Sequence, residues 1–330
     1  MEDSTRKLLR REGNTQGGVL LIYHGLMAMC VMLCTVMGFL MEMLRLSISG
    51  MPLDMILNHI SSAAVDMTAE SGNWGYILTV VMGMLALLLW KKPGYLRSSV
   101  FASGSRMNRT HLFGLTAIFL SAQIFYRVWY YLLEAGANRL GFSFESLAQQ
   151  VSVSGGSLPM FLYACFLAPI TEEILFRGVV LRSLAPYGKK FAIVVSALLF
   201  GLFHGNILQA PFAAMTGLVM AFVTLEYHIG WAIGLHLMNN LLLGELLPRV
   251  LGLLPPGVGD LILLVFLLLC TLAAAIVLIL HWREIRVYWK TEKAEKGTCA
   301  AFFRAPAMIV FLILSVINIL SLPLLALWAG

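Results

Sequence analysis

Long apolar runs separated by short polar stretches repeat along the whole chain. Nine stand out, at residues 19–44, 76–90, 112–133, from 158 past 177, 191–204, 212–225, 231–247, 261–280 and 307–328. A bilayer core asks for roughly 20 apolar residues per crossing helix. The pattern therefore predicts an all-α fold, a polytopic transmembrane helix bundle of about eight or nine spans. The polar stretch 45–74 holds a short interfacial helix at 55–64, and the Pro- and Gly-rich stretch 248–260 is a turn between spans. Neither an internal repeat nor a low-complexity linker breaks the chain, so one bundle is the simplest account.

The polar stretches also orient the bundle, because Lys and Arg collect on the cytoplasmic side. Taking the N-terminus as cytoplasmic puts eighteen of the 23 basic residues in inside loops and three (Arg45, Arg139, Arg249) outside. Residues 1–18 read as a basic cytoplasmic tail, 19–157 as spans 1–3 with their loops, 158–247 as spans 4–7, and 248–330 as two last spans around a basic cytoplasmic loop. Tyr126, Trp129, Tyr130 and Tyr131 form an aromatic belt at the outer end of span 3, and residues 136–157 return outside. The Asn108-Arg109-Thr110 sequon then lies inside, away from glycosylation. Trp282, Tyr288 and Trp289 among basic neighbours read as an amphipathic segment on anionic lipid.

Composition agrees. The 330 residues are 59% hydrophobic and 12% charged, with a mean hydropathy of +0.85, which suits an integral, multi-pass membrane protein rather than a soluble domain. The first run is too long for a signal-peptide core and has no small-residue cleavage pattern, so it is read as a retained span. The net charge of +6 is accounted for by the cytoplasmic loops and does not call for nucleic acid as a partner. Cys30, Cys34, Cys165 and Cys270 lie in apolar runs and Cys299 in a basic one, which gives neither a disulfide framework nor a zinc knuckle. The 18 methionines are mainly apolar filler.

Three polar interruptions carry the chemistry. The stretch 168–177 places Glu172, Glu173 and Arg177 inside an apolar run, at a cost of about 2.5 kcal/mol or more for each ionised group at membrane depth. Glu173 and Arg177 are spaced for an i,i+4 ion pair on one helix face. Glu172 lies about 100° round the helix, free for other work. Pro169 predicts a kink or helix restart just before the pair. Span 5 ends on Phe200 and His204, where Phe200 is a packing residue that orients the imidazole, and span 7 carries His236 and Asn240 on one face. Helical rise puts Glu172 and Asn240 roughly 15 Å, and His204 roughly 21 Å, from the cytosolic edge, so one layer can hold all four.

A carboxylate, two imidazoles and an amide make a hydrolytic set. Glu172 acts as general base on a water that His204 positions or deprotonates, while His236 and Asn240 donate to the oxyanion of a peptide carbonyl. Asn240 is favoured over Asn239 by its i+4 spacing. The same residues suit a metal: Glu172, His204 and His236 match a His₂Glu zinc set with an open position for water. Spacing does not choose between the two. Each motif alone reads more simply as a structural ion pair, a packed histidine or an interhelical polar contact. Arg127 reads as a snorkelling or structural residue. Glu226 and His228 sit at a membrane edge, and His24, His59, His111 and His281 take no role. A transporter with Glu172 as a proton or ion relay and a non-catalytic membrane scaffold are the competing readings.

Together, Glu172-Glu173-x-x-x-Arg177, Phe200-x-x-x-His204 and His236-x-x-x-Asn240 resemble the three-motif signature of the type II CAAX prenyl protease and bacteriocin-processing family, known as CPBP or Abi. The resemblance covers residues 159–247. It implies an intramembrane endopeptidase whose water is activated by a glutamate and a histidine, with a histidine and an asparagine as oxyanion hole. The first glutamate is then catalytic, and the second pairs with arginine. Members are described both as metalloproteases and as metal-independent glutamic proteases, so the cofactor is either none or a zinc-like divalent metal. The partner it implies is a membrane-associated or lipidated peptide or protein: a prenylated CAAX tail, or in a bacterial plasma membrane a signal peptide, pheromone precursor or bacteriocin. The site would face the cytosolic half of the bilayer.

Overall fold

A computed structural model describes residues 2–102, 104–145, 147–148 and 157–329, with the side chains of 64–69, 92–93, 96–97, 322 and 325–329 left out. The fold is all-α, with no strand among the described residues. Every apolar run has its helix. In chain order these are α1 (Asp3–Ile48), α2 (Leu53–Tyr95), α3 (Arg109–Arg139), a composite α4, α5 (Lys189–Phe203), α6 (Gln209–Glu226), a composite α7, α8 (Val258–Leu280), α9 (Trp282–Thr291), α10 (Thr298–Phe303) and α11 (Pro306–Ala329). α4 runs without a break through Leu158–Leu162, the π-helical turn Tyr163–Leu167, Ala168–Glu173, the π-helical stretch Ile174–Leu181 and Arg182–Leu184. α7 joins Ile229–Leu237, the π-helical Met238–Leu246 and Leu247–Leu251. α1, α3, α6, α8 and the 70–91 part of α2 are long and apolar enough to cross a membrane, and the chain is an integral membrane protein by these helices.

Three sequence expectations are redrawn. The stretch 1–18, expected as a basic cytoplasmic tail, is helical from Asp3: α1 begins there, and its first turns pack against α10 and α11. Gly13 and Gly17 make that approach possible, since a Cβ on Gly17 would lie 2.5 Å from the Met308 nitrogen. Gln16, wholly buried, donates to Ser183 Oγ at 2.9 Å. Residues 45–74 are not a loop with a short helix either. α1 runs to Ile48 and, after a turn at 49–52, α2 is helical from Leu53 onward, with Gly38, Gly72 and Gly75 letting α1 and α2 pack as a close antiparallel hairpin. Finally, the helix of span 7 continues past Pro248 to Leu251, where the proline sits in the first turn of a restarted α segment and needs no N–H partner. Of the expected outer loop 136–157, residues 146 and 149–156 lie outside the described residues.

The core sits where α4, α5 and α6 meet. Ten of the fifteen residues of α5 are buried, and Phe176, Leu181, Leu184, Leu199 and Phe200 are essentially inaccessible. α9 lies over the end of α6, where Tyr288 donates to Glu226 at 3.0 Å and Lys189 pairs with the same carboxylate at 2.8 Å. Burial, with Glu226 beside it, pushes the Tyr288 phenol well above its ordinary pKa. Glu226 therefore has a structural task. His228 has one too, its Nδ1 accepting from Gly230 N at the start of α7.

Candidate active site

The two adjacent glutamates leave α4 in different directions. Glu173 is fully buried, its Oε1 3.0 Å from Arg177 Nη1, and Arg177 is equally inaccessible. This is the i,i+4 pair that spacing predicts. Two buried charges demand further partners, and both have them. Arg177 lies 4.2 Å from the Phe200 ring centroid and donates to Gly217 O at 3.5 Å. The same Glu173 Oε1 takes a hydrogen bond from His236 Nδ1 at 2.9 Å. Glu173 thus binds an arginine on its own helix and a histidine 63 positions away, and spacing alone reveals only the first.

Glu172 faces a cavity of about 610 Å³ that His204, His236, Asn239, Asn240 and Phe200 also line. Its Oε2 stands 3.9 Å from His236 Nε2, beyond a direct hydrogen bond and within reach of a bridging water. The imidazole of His204 closes the C-terminal end of α5, its Nδ1 donating to Phe200 O at 2.9 Å. Phe200 sits edge-on to both rings, 4.8 Å from His204 and 5.7 Å from His236. One phenyl ring thus packs on the guanidinium and both imidazoles.

Tautomers follow from the partners. A backbone carbonyl only accepts, so His204 carries its proton on Nδ1 and leaves Nε2 as an acceptor. Glu173 Oε1, which also faces the Arg177 guanidinium, accepts as well, so His236 too carries a proton on Nδ1.

Asn240 and Asn239 both line the cavity, but their bonds differ. Asn240 Nδ2 donates to Ala164 O at 2.8 Å, whereas Asn239 is held by Gln123 of α3 at 2.7 Å. The Ala164 carbonyl is open because of Pro169: in a π-helical turn the N–H five residues on would reach it, and residue 169 has none. The kink expected at Pro169 takes the form of this π turn. Helical-wheel reasoning misses it, along with Gln123 and the walls contributed by Met27, Tyr76 and Phe119 of α1, α2 and α3. Among the described residues, no group of three or more His, Cys, Asp and Glu side chains is placed to hold a metal ion. As they stand, Glu172, His204 and His236 do not form the zinc set that their residue types suggest.

Comparison with known proteins reaches the same stretch. Residues 154–242 match the family described as Rce1-like, type II CAAX prenyl endopeptidase, in agreement with the three-motif resemblance. Neither a curated protein nor a solved structure matches the chain. The matched family is one of peptidases that act on membrane-associated protein substrates. The segment carrying Glu172, His204, His236 and Asn240 is therefore similar to the Rce1-like, type II CAAX prenyl endopeptidase family.

Proposed function

We propose that this protein is an intramembrane endopeptidase that hydrolyses a peptide bond in a membrane-associated or lipidated, CAAX-like substrate, with Glu172 as base. The observation that carries the reading is the division of labour between the two glutamates. Glu173 is buried with its Oε1 engaged by both Arg177 and His236, while Glu172 borders the cavity beside His236 Nε2. Glu172 takes a proton from water as its oxygen attacks the carbonyl carbon, and His204 Nε2 accepts the second water hydrogen to aim the attack. The oxyanion accepts from the second N–H of Asn240. It also accepts from His236 Nε2 when that nitrogen carries a proton, with the ring held through Nδ1 by Glu173. Glu172 then returns its proton to the leaving amine as the C–N bond breaks. Every step runs through side chains of this chain, so the reading is of the glutamic type. The site faces the cytosolic half of the bilayer, and a bacterial plasma membrane suits a chain of this organisation.

The test uses purified protein in nanodiscs, wild type beside Glu172→Gln and His204→Ala, with prenylated and membrane-tethered peptides read by mass spectrometry. Glu172→Gln is expected to lose cleavage by at least about 100-fold, and chelator to leave the wild type unchanged. Cleavage that survives Glu172→Gln overturns the assignment of the base. Cleavage that chelator abolishes overturns the glutamic type.

A further inference from the structure

The three amides beside the cavity form a polarised chain, and their orientation is dictated from one end. Ala164 O can only accept, so Asn240 must turn its Nδ2 toward it, at 2.8 Å. Asn240 Oδ1 then faces Asn239, which must answer with its own Nδ2, at 2.9 Å. Asn239 Oδ1 in turn faces Gln123, which must donate Nε2, at 2.7 Å. No amide in the series can be flipped without opposing two donors or two acceptors. A primary amide is planar, so a bond on Oδ1 and another on one N–H of Asn240 fix the plane and the direction of its second N–H. Gln123 lies on α3, outside the matched segment 154–242, and lines the same cavity.

We propose that Gln123 is a positioning residue for Asn240, acting through Asn239, so that α3 sets the aim of the amide that donates to the oxyanion. This rests on the endopeptidase reading and adds a residue to its machinery. The relay runs from a carbonyl freed by Pro169 on α4, across α7, to α3. It makes the site depend on a helix that carries none of the three motifs.

The experiment is a double-mutant cycle on cleavage, with Gln123→Ala, Asn240→Ala and the pair. Asn240→Ala is expected to lower kcat by about 100-fold or more, and Gln123→Ala by about tenfold with KM unchanged. The pair should be no slower than Asn240→Ala alone, since an aiming residue has nothing left to aim. Gln123→Glu keeps the shape but, ionised, offers no donor, and should match the alanine variant. Losses that multiply in the pair, or a Gln123→Glu enzyme as fast as wild type, overturn the relay while leaving the endopeptidase reading standing. If the wild type cleaves nothing, the reading fails, and the relay is judged on thermal unfolding of the same variants. Midpoint losses smaller together than in sum uphold the coupling, and additive losses overturn it.

Discussion

α8 and α4 are both apolar runs of similar length, yet they solve opposite problems. In α8, the most apolar window has a mean hydropathy of 3.2 with 11% of its residues buried inside the protein, and the helix is regular from Val258 to Leu280. In α4, all eight residues of Ile174–Leu181 are buried, two π-helical stretches interrupt the helix, and Glu173 and Arg177 sit at zero exposure. Lipid tolerates neither irregular backbone nor charge, so a helix facing it must be regular and apolar. A helix enclosed by protein can carry both, because its neighbours supply the missing partners. Hydropathy reports only that each run avoids water. The difference lies in what replaces the water.

The sharpest way to break this comparison is to remove one buried charge. Arg177→Ala strands Glu173 in the core with only His236 to pair it, and should cost about 3–5 kcal/mol of stability, read as a large drop in the unfolding midpoint in detergent. Thr271→Ala on α8 deletes a side chain whose hydroxyl bonds only to Leu267 O on its own helix, and should stay within about 0.5 kcal/mol. Combining Arg177→Met with Glu173→Leu should recover most of the lost stability, since an apolar pair replaces the ionic one. It should not recover cleavage, because His236 then loses the acceptor on Nδ1. Recovery of both would mean that Glu173 has no part in holding the imidazole.

Glycines probe the same contrast by volume. A Cβ on Gly201 would lie 2.5 Å from Ala210 O and 2.8 Å from Ala214 Cβ, so Gly201→Ala must push α5 off α6, three residues before His204. A loss of about 1–3 kcal/mol is expected, with cleavage reduced as His204 shifts. Gly25 on the exposed face of α1 has nothing within 4 Å of the same atom, and Gly25→Ala should gain about 0.5–1 kcal/mol from helix propensity. Equal midpoints for the two variants would erase the distinction between enclosed and lipid-facing helices.

How much of this was legible in the sequence follows the same line. Runs that meet lipid are read directly, because bilayer thickness fixes their length: the ends of α3, α6 and α8 fall within about six residues of the expected spans. Contacts within one helix are also legible, as with Glu173 and Arg177. The early start of α1 and the unbroken course of α2 were hidden because charged residues there resemble loops. Their helical state depends on close packing at Gly17, Gly38 and Gly75, which local composition does not reveal. The hydrogen bonds from His236 to Glu173 and from Gln123 to Asn239 span 63 and 116 positions and follow no motif spacing. The preference for Asn240 over Asn239 assumed 3.6 residues per turn, a rule that the π-helical Met238–Leu246 suspends.

The smallest expected change in stability tests where that irregular backbone comes from. Pro169→Ala restores an N–H that can reach back to Cys165 O or Ala164 O, which favours a regular helix and competes with Asn240 for the Ala164 carbonyl. The regained bond offsets the flexibility added to the unfolded chain, so the unfolding midpoint should move by no more than about 1 kcal/mol in either direction. Cleavage, by contrast, should fall about tenfold, because Asn240 loses the acceptor that orients its amide. Such a variant would be as stable as wild type and slower, which separates the backbone's service to the site from its service to the fold. A Pro169→Ala enzyme with unchanged kcat would show that Asn240 holds its aim without the freed carbonyl, and that the π turn before the glutamates serves packing alone.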